Sequence, residues 1–121
     1  MQWKLTGGEP VYQQIMEQLR GAVLAGEYPP GARIPSVREI AAEAKVNPNT
    51  VQRALMELER EGLLESHGTL GRCVTEQETV LEQLRERAVE RLVRECARRF
   101  RDMGLTMEQA AALLLENEKE A

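Results

Sequence analysis

Two helix-start signals stand close together in the first half of the chain, and they constrain the fold more than any other feature. Ser36 and Glu39 form a capping-box pattern, in which the Ser oxygen and the Glu carboxylate satisfy each other's free backbone amides. Asn47-Pro48 is the second signal, because Asn accepts amide hydrogen bonds at an N-cap and Pro at the first helical position loses none. The sequence therefore predicts a short helix ending near Lys45 and a longer helix that begins at Pro48.

The segments on either side of this helix pair complete a small domain. An apolar pattern of helical period runs from about Pro10 to Ala25, and the Pro- and Gly-rich segment 28–31 cannot continue it. The longer helix of the pair is expected to end near Glu61. Two short extended segments, 63–66 and 72–75, then flank a glycine-containing turn and predict a β-hairpin. Residues 1–75 are thus expected to form a winged helix-turn-helix domain.

The second helix of such a unit buries one stripe and leaves its N-terminal outer face exposed. Amides of the Asn and Gln type can pair with adenine, Arg can pair with guanine, and Thr can contact a phosphate. A simpler interpretation is that these are solvated residues of an N-capped helix. The residues on this face are polar and not acidic: Asn47, Asn49, Thr50, Gln52 and Arg53.

Residues 76–121 predict two further helices. Thr75 to Glu78 is another capping-box pattern before a long apolar stripe, and Gly104 with Thr106 marks a break before the last helix. This region is too short to enclose a core, so we expect it to dimerise with a second copy. The alternative is that the stripe packs back onto the first domain. The predicted dimerisation residues are Leu81, Leu84, Ala88, Leu92, Cys96, Phe100, Leu113 and Leu114.

The arginines of this long helix alternate with glutamates. Spacings such as Glu90 to Arg94 and Glu95 to Arg99 favour a solvated, ion-paired face over a second nucleic-acid surface. The two cysteines, Cys73 and Cys96, lack the spacing of a zinc site and are expected to be packed thiols.

Composition excludes several classes of protein. The chain has no apolar run long enough for a membrane span, no metal-ligating or catalytic constellation and no phosphate-binding glycine loop. We therefore expect a cytoplasmic protein that is not an enzyme, with no metal and no cofactor. The net charge of −4 argues against a polyanionic partner. Arg33, Arg38, Lys45 and Arg53 nevertheless outnumber the acidic residues of their own window.

The chain resembles the GntR family of bacterial winged-helix repressors. The motifs that carry the resemblance are YPPGARIPSVREIA at 28–41, VNPNTVQRAL at 46–55 and LEREGLL at 58–64. The short C-terminal region is similar to that of the YtrA-like branch. In the family wing, an Arg-Gly-x-Gly-Thr-Phe-Val pattern is common, and here its first Arg is missing. The resemblance implies that operator DNA contacts the residues matching Ser36, Arg38, Asn47, Asn49, Thr50 and Gln52, and His67 and Gly68 at the wing tip.

Together these features predict a homodimeric repressor that reads an inverted repeat in double-stranded DNA. Two alternatives remain open: a protein-interaction module that docks through the acidic end of the longer helix, and a regulator that responds to an unidentified small-molecule effector. The predicted DNA-binding residues are Arg33, Ser36, Arg38, Asn47, Asn49, Thr50, Gln52, Arg53, His67 and Gly68.

Overall fold

The computed structural model describes residues 1–120, with Glu120 described by its backbone alone. The chain divides into two compact units, Met1–Leu84 and a second unit that starts at Arg85. The prediction of a mainly helical chain with one small hairpin is confirmed. The elements are α1 (Val11–Leu24), α2 (Val37–Ala44), α3 (Pro48–Arg60), β1 (Leu64–Ser66), β2 (Arg72–Val74), α4 (Glu78–Asp102) and α5 (Met107–Glu120).

The first unit is built around aliphatic side chains from α1, α2, α3 and the hairpin. Ile15 and Leu19 of α1 are fully buried against the stripe that α3 presents inward. At one edge of this core, Arg20 reaches from α1 to the end of α3 and donates to both carboxylate oxygens of Glu61, at 2.6 and 2.9 Å. The buried residues of α3 are Val51, Ala54, Leu55 and Leu58, as the periodicity predicts.

The connector between α1 and α2 joins the hairpin. Ile34 N–H donates to the Arg72 carbonyl at 3.0 Å, and Val74 N–H donates to the Ala32 carbonyl at 2.9 Å. Gly31 has φ of +82°, and a Cβ there would lie 2.6 Å from Oε1 of Glu76. The segment 28–31 is therefore the turn that the prolines predict, and its continuation pairs with β2 beside the antiparallel pair β1–β2.

Two glutamines of α1 hydrogen-bond the N-terminal segment along the helix, and the sequence did not indicate these contacts. Gln14 accepts from the Thr6 amide at 2.7 Å and donates to the Thr6 carbonyl at 2.8 Å. Gln18 does the same to Lys4, at 2.9 and 2.7 Å. Side-chain amides one helical turn apart can satisfy an extended backbone in this way because each carries a donor and an acceptor.

The start of α4 differs from the prediction. Thr75 N–H donates to the Leu63 carbonyl at 2.9 Å, so Thr75 extends the hairpin, and the helix begins only at Glu78. The predicted capping box at this position is therefore wrong: the Thr75 hydroxyl accepts from Gln77 N–H at 3.2 Å, within the turn before the helix.

Two residues of the predicted dimer stripe belong to the core of the first unit instead. Leu84 is 6% exposed and lies in the buried cluster, and Leu81 is half-buried against it. The first turns of α4 therefore pack on the winged domain of the same chain, and their apolar side chains are not available to a second copy. This part of the stripe agrees with the alternative hypothesis, in which it packs onto the first domain. The first compact unit therefore extends past residue 75, to Leu84.

The second unit contains the rest of α4 and α5. Gly104 has φ of +84°, Leu105 N–H donates to the Phe100 carbonyl at 3.0 Å, and Thr106 with Gln109 forms a capping box at 2.9 and 3.1 Å. The break predicted between the two helices is thus where the sequence places it.

Two expectations for α4 are not met by the described residues. The Glu90 to Arg94 and Glu95 to Arg99 pairs are absent among them, whereas Arg98 does pair with Asp102 on α4, at 3.9 Å. Exposed ion pairs gain little free energy against side-chain entropy, so spacing alone does not hold them together. Cys73 is buried as predicted, whereas Cys96 is exposed in the single chain. Within residues 1–120, no helix is both long enough and apolar enough to cross a membrane.

Candidate nucleic-acid interface

The N-terminal face of α3 is the centre of the candidate site. Asn47 caps the helix by accepting from Asn49 N–H at 2.8 Å, and Pro48 occupies the first turn. The side-chain oxygen Oδ1 of Asn47 thus accepts a hydrogen bond from the helix, while the N–H groups of its side-chain amide have no partner among the described residues. Asn49, Gln52 and Arg53 are exposed and Thr50 is half-buried. The face predicted from the sequence is therefore available to a ligand.

The N-terminus of α2 forms a second part of the site. Ser36 Oγ accepts from Glu39 N–H at 3.1 Å. Hydrogen bonds from the Ser36 side chain and backbone, followed by the interaction with Arg33, lower the pKa of the Glu39 carboxyl. The predicted capping box is therefore formed, and both the hydroxyl and the backbone amide of Ser36 interact with Glu39. Arg38 points into solvent next to this end of the helix.

Arg33 is tied more closely to the protein than the sequence indicates. Its Nη2 lies 3.2 Å from Oε1 of Glu39, with both side chains about half exposed. A partner at this distance neutralises part of the local positive charge, but the exposure of the pair leaves it replaceable by a phosphate.

Arg53 stacks on an aromatic ring that the sequence did not connect with the site. Its guanidinium carbon lies 3.8 Å from the centroid of the Tyr12 ring, on α1. A guanidinium over a ring face is held by the ring quadrupole and keeps its donors at the edge. Tyr12 therefore orients Arg53, and the sole sequence signal for it was an aromatic residue at the start of a helix.

The tip of the hairpin is exposed. His67 and Gly68 lie at the start of a single 3-10 turn that spans Gly68–Leu70, and His67 N–H donates to the Gly71 carbonyl at 2.8 Å. Leu70 at the tip is also 63% exposed. His67 and Gly68 are thus free of the core, as expected for a wing tip.

A network that the sequence did not predict joins the hairpin to α3. Arg72 on β2 donates through Nε to Oε1 of Glu59, and its Nη1 lies 3.4 Å from Oε1 of Gln52. Ser66 Oγ donates to the same Glu59 oxygen at 3.2 Å. Ser66 and Arg72 are cross-strand partners in the hairpin register, which is the pattern from which this proximity could have been found.

These parts converge on one surface of the first unit. A groove between the N-terminus of α2 and the hairpin is lined by Ser36, Ser66, Gly68 and Arg72, among others. The surface offers amide, hydroxyl and guanidinium donors, and the N-terminal amides of two helices, which favour an anionic ligand. Among residues 1–120, no cluster of three or more His, Cys, Asp or Glu side chains could hold a metal ion.

Comparisons with known proteins agree with this geometry. The chain is 45% identical over 67 residues to the HTH-type transcriptional repressor YtrA of Bacillus subtilis, a match that covers 55% of this chain and 52% of that protein. This matched part is about half of the YtrA repressor. A GntR family transcriptional regulator from Listeria monocytogenes superimposes with a TM-score of 0.82 at 28% identity, over 93% of this chain and 98% of that one.

A third comparison concerns a structure that contains DNA. The DNA-binding domain of AraR, crystallised in complex with operator ORX1, superimposes with a TM-score of 0.56 at 26% identity, over 60% of this chain and 93% of that one. Residues 11–74, which include α1, α2, α3 and the hairpin, match the family described as bacterial regulatory proteins, gntR family. The chain therefore belongs to the GntR family of bacterial regulators.

Proposed function

We propose that this protein is a cytoplasmic, sequence-specific transcriptional repressor without catalytic activity, which binds an inverted-repeat operator in double-stranded DNA as a homodimer. The observation that carries the proposal is the exposed, non-acidic face at the N-terminus of α3, which contacts the hairpin through Gln52 and Arg72 and lies on a helix packed against α2. Its support is family membership together with the operator complex of the structurally similar AraR domain.

The residues of this surface divide by chemistry. Asn49, Gln52 and Arg53 are exposed on α3 and carry the donors and acceptors that distinguish base edges in the major groove. Thr50 and Arg38 suit contacts to phosphates, which position a protein without reading sequence. Arg33, Ser36 and Asn47 add donors around them, and His67 with Gly68 suits the minor groove.

Dimerisation is proposed to use apolar residues of α4 and α5 that are exposed or half-buried. Leu92 is 60% exposed, Leu113 51% and Leu114 59%, and most of the large apolar side chains that are exposed among the described residues lie on these two helices, as is typical of an interaction surface. A second copy fits because a two-fold dimer places two winged units against the two halves of an inverted repeat. The proposed set is Ala88, Leu92, Cys96, Phe100, Leu113 and Leu114, without Leu81 and Leu84.

The structure disfavours docking of a protein partner through the acidic end of α3. Glu57 pairs with Arg60, Glu59 with Arg72 and Glu61 with Arg20. Glu59 and Glu61 are thus engaged by arginines that are largely buried, whereas the Glu57 pair with the exposed Arg60 is replaceable. Salt titration separates the two functions: a DNA reader loses affinity as salt rises, whereas an interaction module shows no specific duplex binding at any salt.

The test is selection of binding sites from random duplexes with the full-length protein. We expect an inverted repeat, and we expect Gln52→Ala to cost about 1–3 kcal/mol at one base-pair position of each half-site. Arg38→Ala should weaken binding to all sequences equally, because a phosphate contact carries no base information. Arg60→Ala, at the exposed far end of α3, is the matched control and should bind like the wild type. Selection of no palindrome, or unchanged binding by Gln52→Ala, would contradict the proposal.

A further inference from the structure

Gln52 is the one proposed base reader whose side chain is held from the hairpin. Arg72 Nη1 lies 3.4 Å from Gln52 Oε1, while Arg72 Nε donates to Glu59. The Arg72 side chain is only 19% exposed, so its position is defined by the protein and not by solvent. Glu59 is anchored in turn by Ser66.

This contact favours one orientation of the Gln52 amide. A guanidinium carries donors and no acceptor, so the amide atom that meets Arg72 must be the oxygen. The two polar atoms of a planar amide diverge from one carbon, so Nε2 of Gln52 is directed away from Arg72. At this point of the surface the protein therefore presents N–H groups of Gln52 and of Arg72, and one of the two lone pairs of the amide oxygen already accepts from a cation.

The direction of the amide matters because bases differ in the pattern they require. Adenine presents N7 as acceptor and N6 as donor, so a Gln that reads adenine must accept and donate at once. Guanine presents two acceptors, O6 and N7, which match two donors. A donor brought to Gln52 Oε1 would approach the Arg72 guanidinium, which repels the positive edge of an amino group.

We propose that Arg72 and Glu59 are positioning residues that set the base preference of Gln52, so that this position of the operator is read as guanine rather than adenine. The inference rests on the proposed function, since it assumes that α3 enters the major groove. It also gives a role to a guanidinium of the wing in a chain that lacks the Arg at the usual place of its family's wing motif.

The experiment compares selected sites of full-length wild type with those of Arg72→Met and Glu59→Leu. The position read by Gln52 is the one whose preference disappears in Gln52→Ala. We expect guanine there for the wild type, and a shift toward adenine of about five- to tenfold in both variants, because the amide can then turn. All other positions of the half-site should keep their preference.

Three controls separate positioning from other roles. Arg72→Lys keeps a cation beside Oε1 and should retain guanine, and Glu59→Gln can still accept from Arg72 and should do the same. Arg60→Met removes an arginine of α3 that does not contact Gln52, and this variant should select the wild-type site. Thermal unfolding of each variant shows that it is folded, and the two Glu59 variants test the inference even where Arg72→Met is unstable.

The outcomes distinguish this inference from the function on which it rests. If the wild type selects no inverted repeat, the proposed function fails. If it selects one but reads adenine at the Gln52 position, or if Arg72→Met and Glu59→Leu keep guanine, the positioning role is overturned. Equal loss of affinity for every sequence in Arg72→Met would make Arg72 a phosphate contact and would also overturn it.

Discussion

Arg53 illustrates at the scale of one residue how a surface side chain is prepared for a ligand. The guanidinium lies 3.8 Å from the Tyr12 ring centroid and therefore occupies a restricted position before any partner binds. A long side chain loses conformational entropy when it is ordered, and ordering it in advance lowers the cost of binding. Tyr12 is half-buried at the edge of the core, so the ring is itself fixed.

Replacing the ring tests this role. We expect Tyr12→Leu to weaken operator binding by about 0.5–1 kcal/mol, because the exposed cation–π contact is lost. Tyr12→Phe keeps the ring face and should bind like the wild type. Fluorescence anisotropy titration with the selected operator measures both. Equal affinity of the Leu and Phe variants would show that the ring does not orient Arg53.

At the scale of elements, the turn between α2 and α3 joins the two helices through a residue in the left-handed conformation. Lys45 has φ of 57°, the one positive value outside glycine among the described residues, and Val46 N–H donates to the Ala41 carbonyl at 3.1 Å. The left-handed conformation is strained for a residue with a Cβ. The turn thus carries strain that the packing of Ile40 and Val51 sustains on either side.

Removing that Cβ should stabilise the domain. We expect Lys45→Gly to raise the free energy of unfolding by about 0.5–1 kcal/mol, because Gly adopts positive φ readily. Lys45→Ala removes the same charge but keeps the Cβ, so it should show no gain. Urea denaturation measures the difference, and equal stability of the two variants would mean that the conformation is not strained.

The element α4 serves two units. Val80, Leu81 and Leu84 pack against the winged core, and the residues from Arg85 onward belong to the second unit. We expect a fragment of residues 1–84 to fold with a cooperative thermal transition, and one of residues 1–77 to be less stable by about 2–5 kcal/mol, since it lacks a buried leucine. Similar melting temperatures for the two fragments would contradict this division.

At the scale of the whole molecule, the distribution of charge matters more than its sum. Residues 1–75 hold eight Lys and Arg against nine Asp and Glu, and residues 76–121 hold eight against eleven. Most of the net −4 therefore belongs to the C-terminal part. Non-specific affinity for DNA comes from phosphate neutralisation, so we infer that it is weak here and that specificity depends on neutral amide and hydroxyl contacts.

The dimer can be tested on the full chain. We expect Leu92→Glu combined with Leu114→Glu to give a monomer at micromolar concentration, because a charge placed in an apolar interface stays uncompensated. Gln83→Glu adds a carboxylate at an exposed position of α4 and should leave the dimer intact. Light scattering measures the mass of each variant. The double variant that becomes a monomer should also bind the operator more weakly. A wild-type monomer would remove both the dimer and the expected palindrome.

The helix pair, the hairpin, the break at Gly104 and the polar face of α3 could all be predicted from the sequence. These features depend on local physics: Ser36 and Asn47 cap their own helices, and apolar spacing decides which face of α3 is buried. The family resemblance could be stated for the same reason, since its motifs are continuous segments of the chain.

Other features depend on residues far apart in the chain, and only the tertiary structure decided them. Arg53 with Tyr12, and Arg72 with Glu59 and Gln52, meet because helices and hairpin pack in one arrangement. An apolar stripe also has the same pattern whether it faces its own domain or a second copy. The dimer prediction is therefore wrong for Leu84, because the periodicity shows which side of α4 is buried, and only the packing shows which surface buries it.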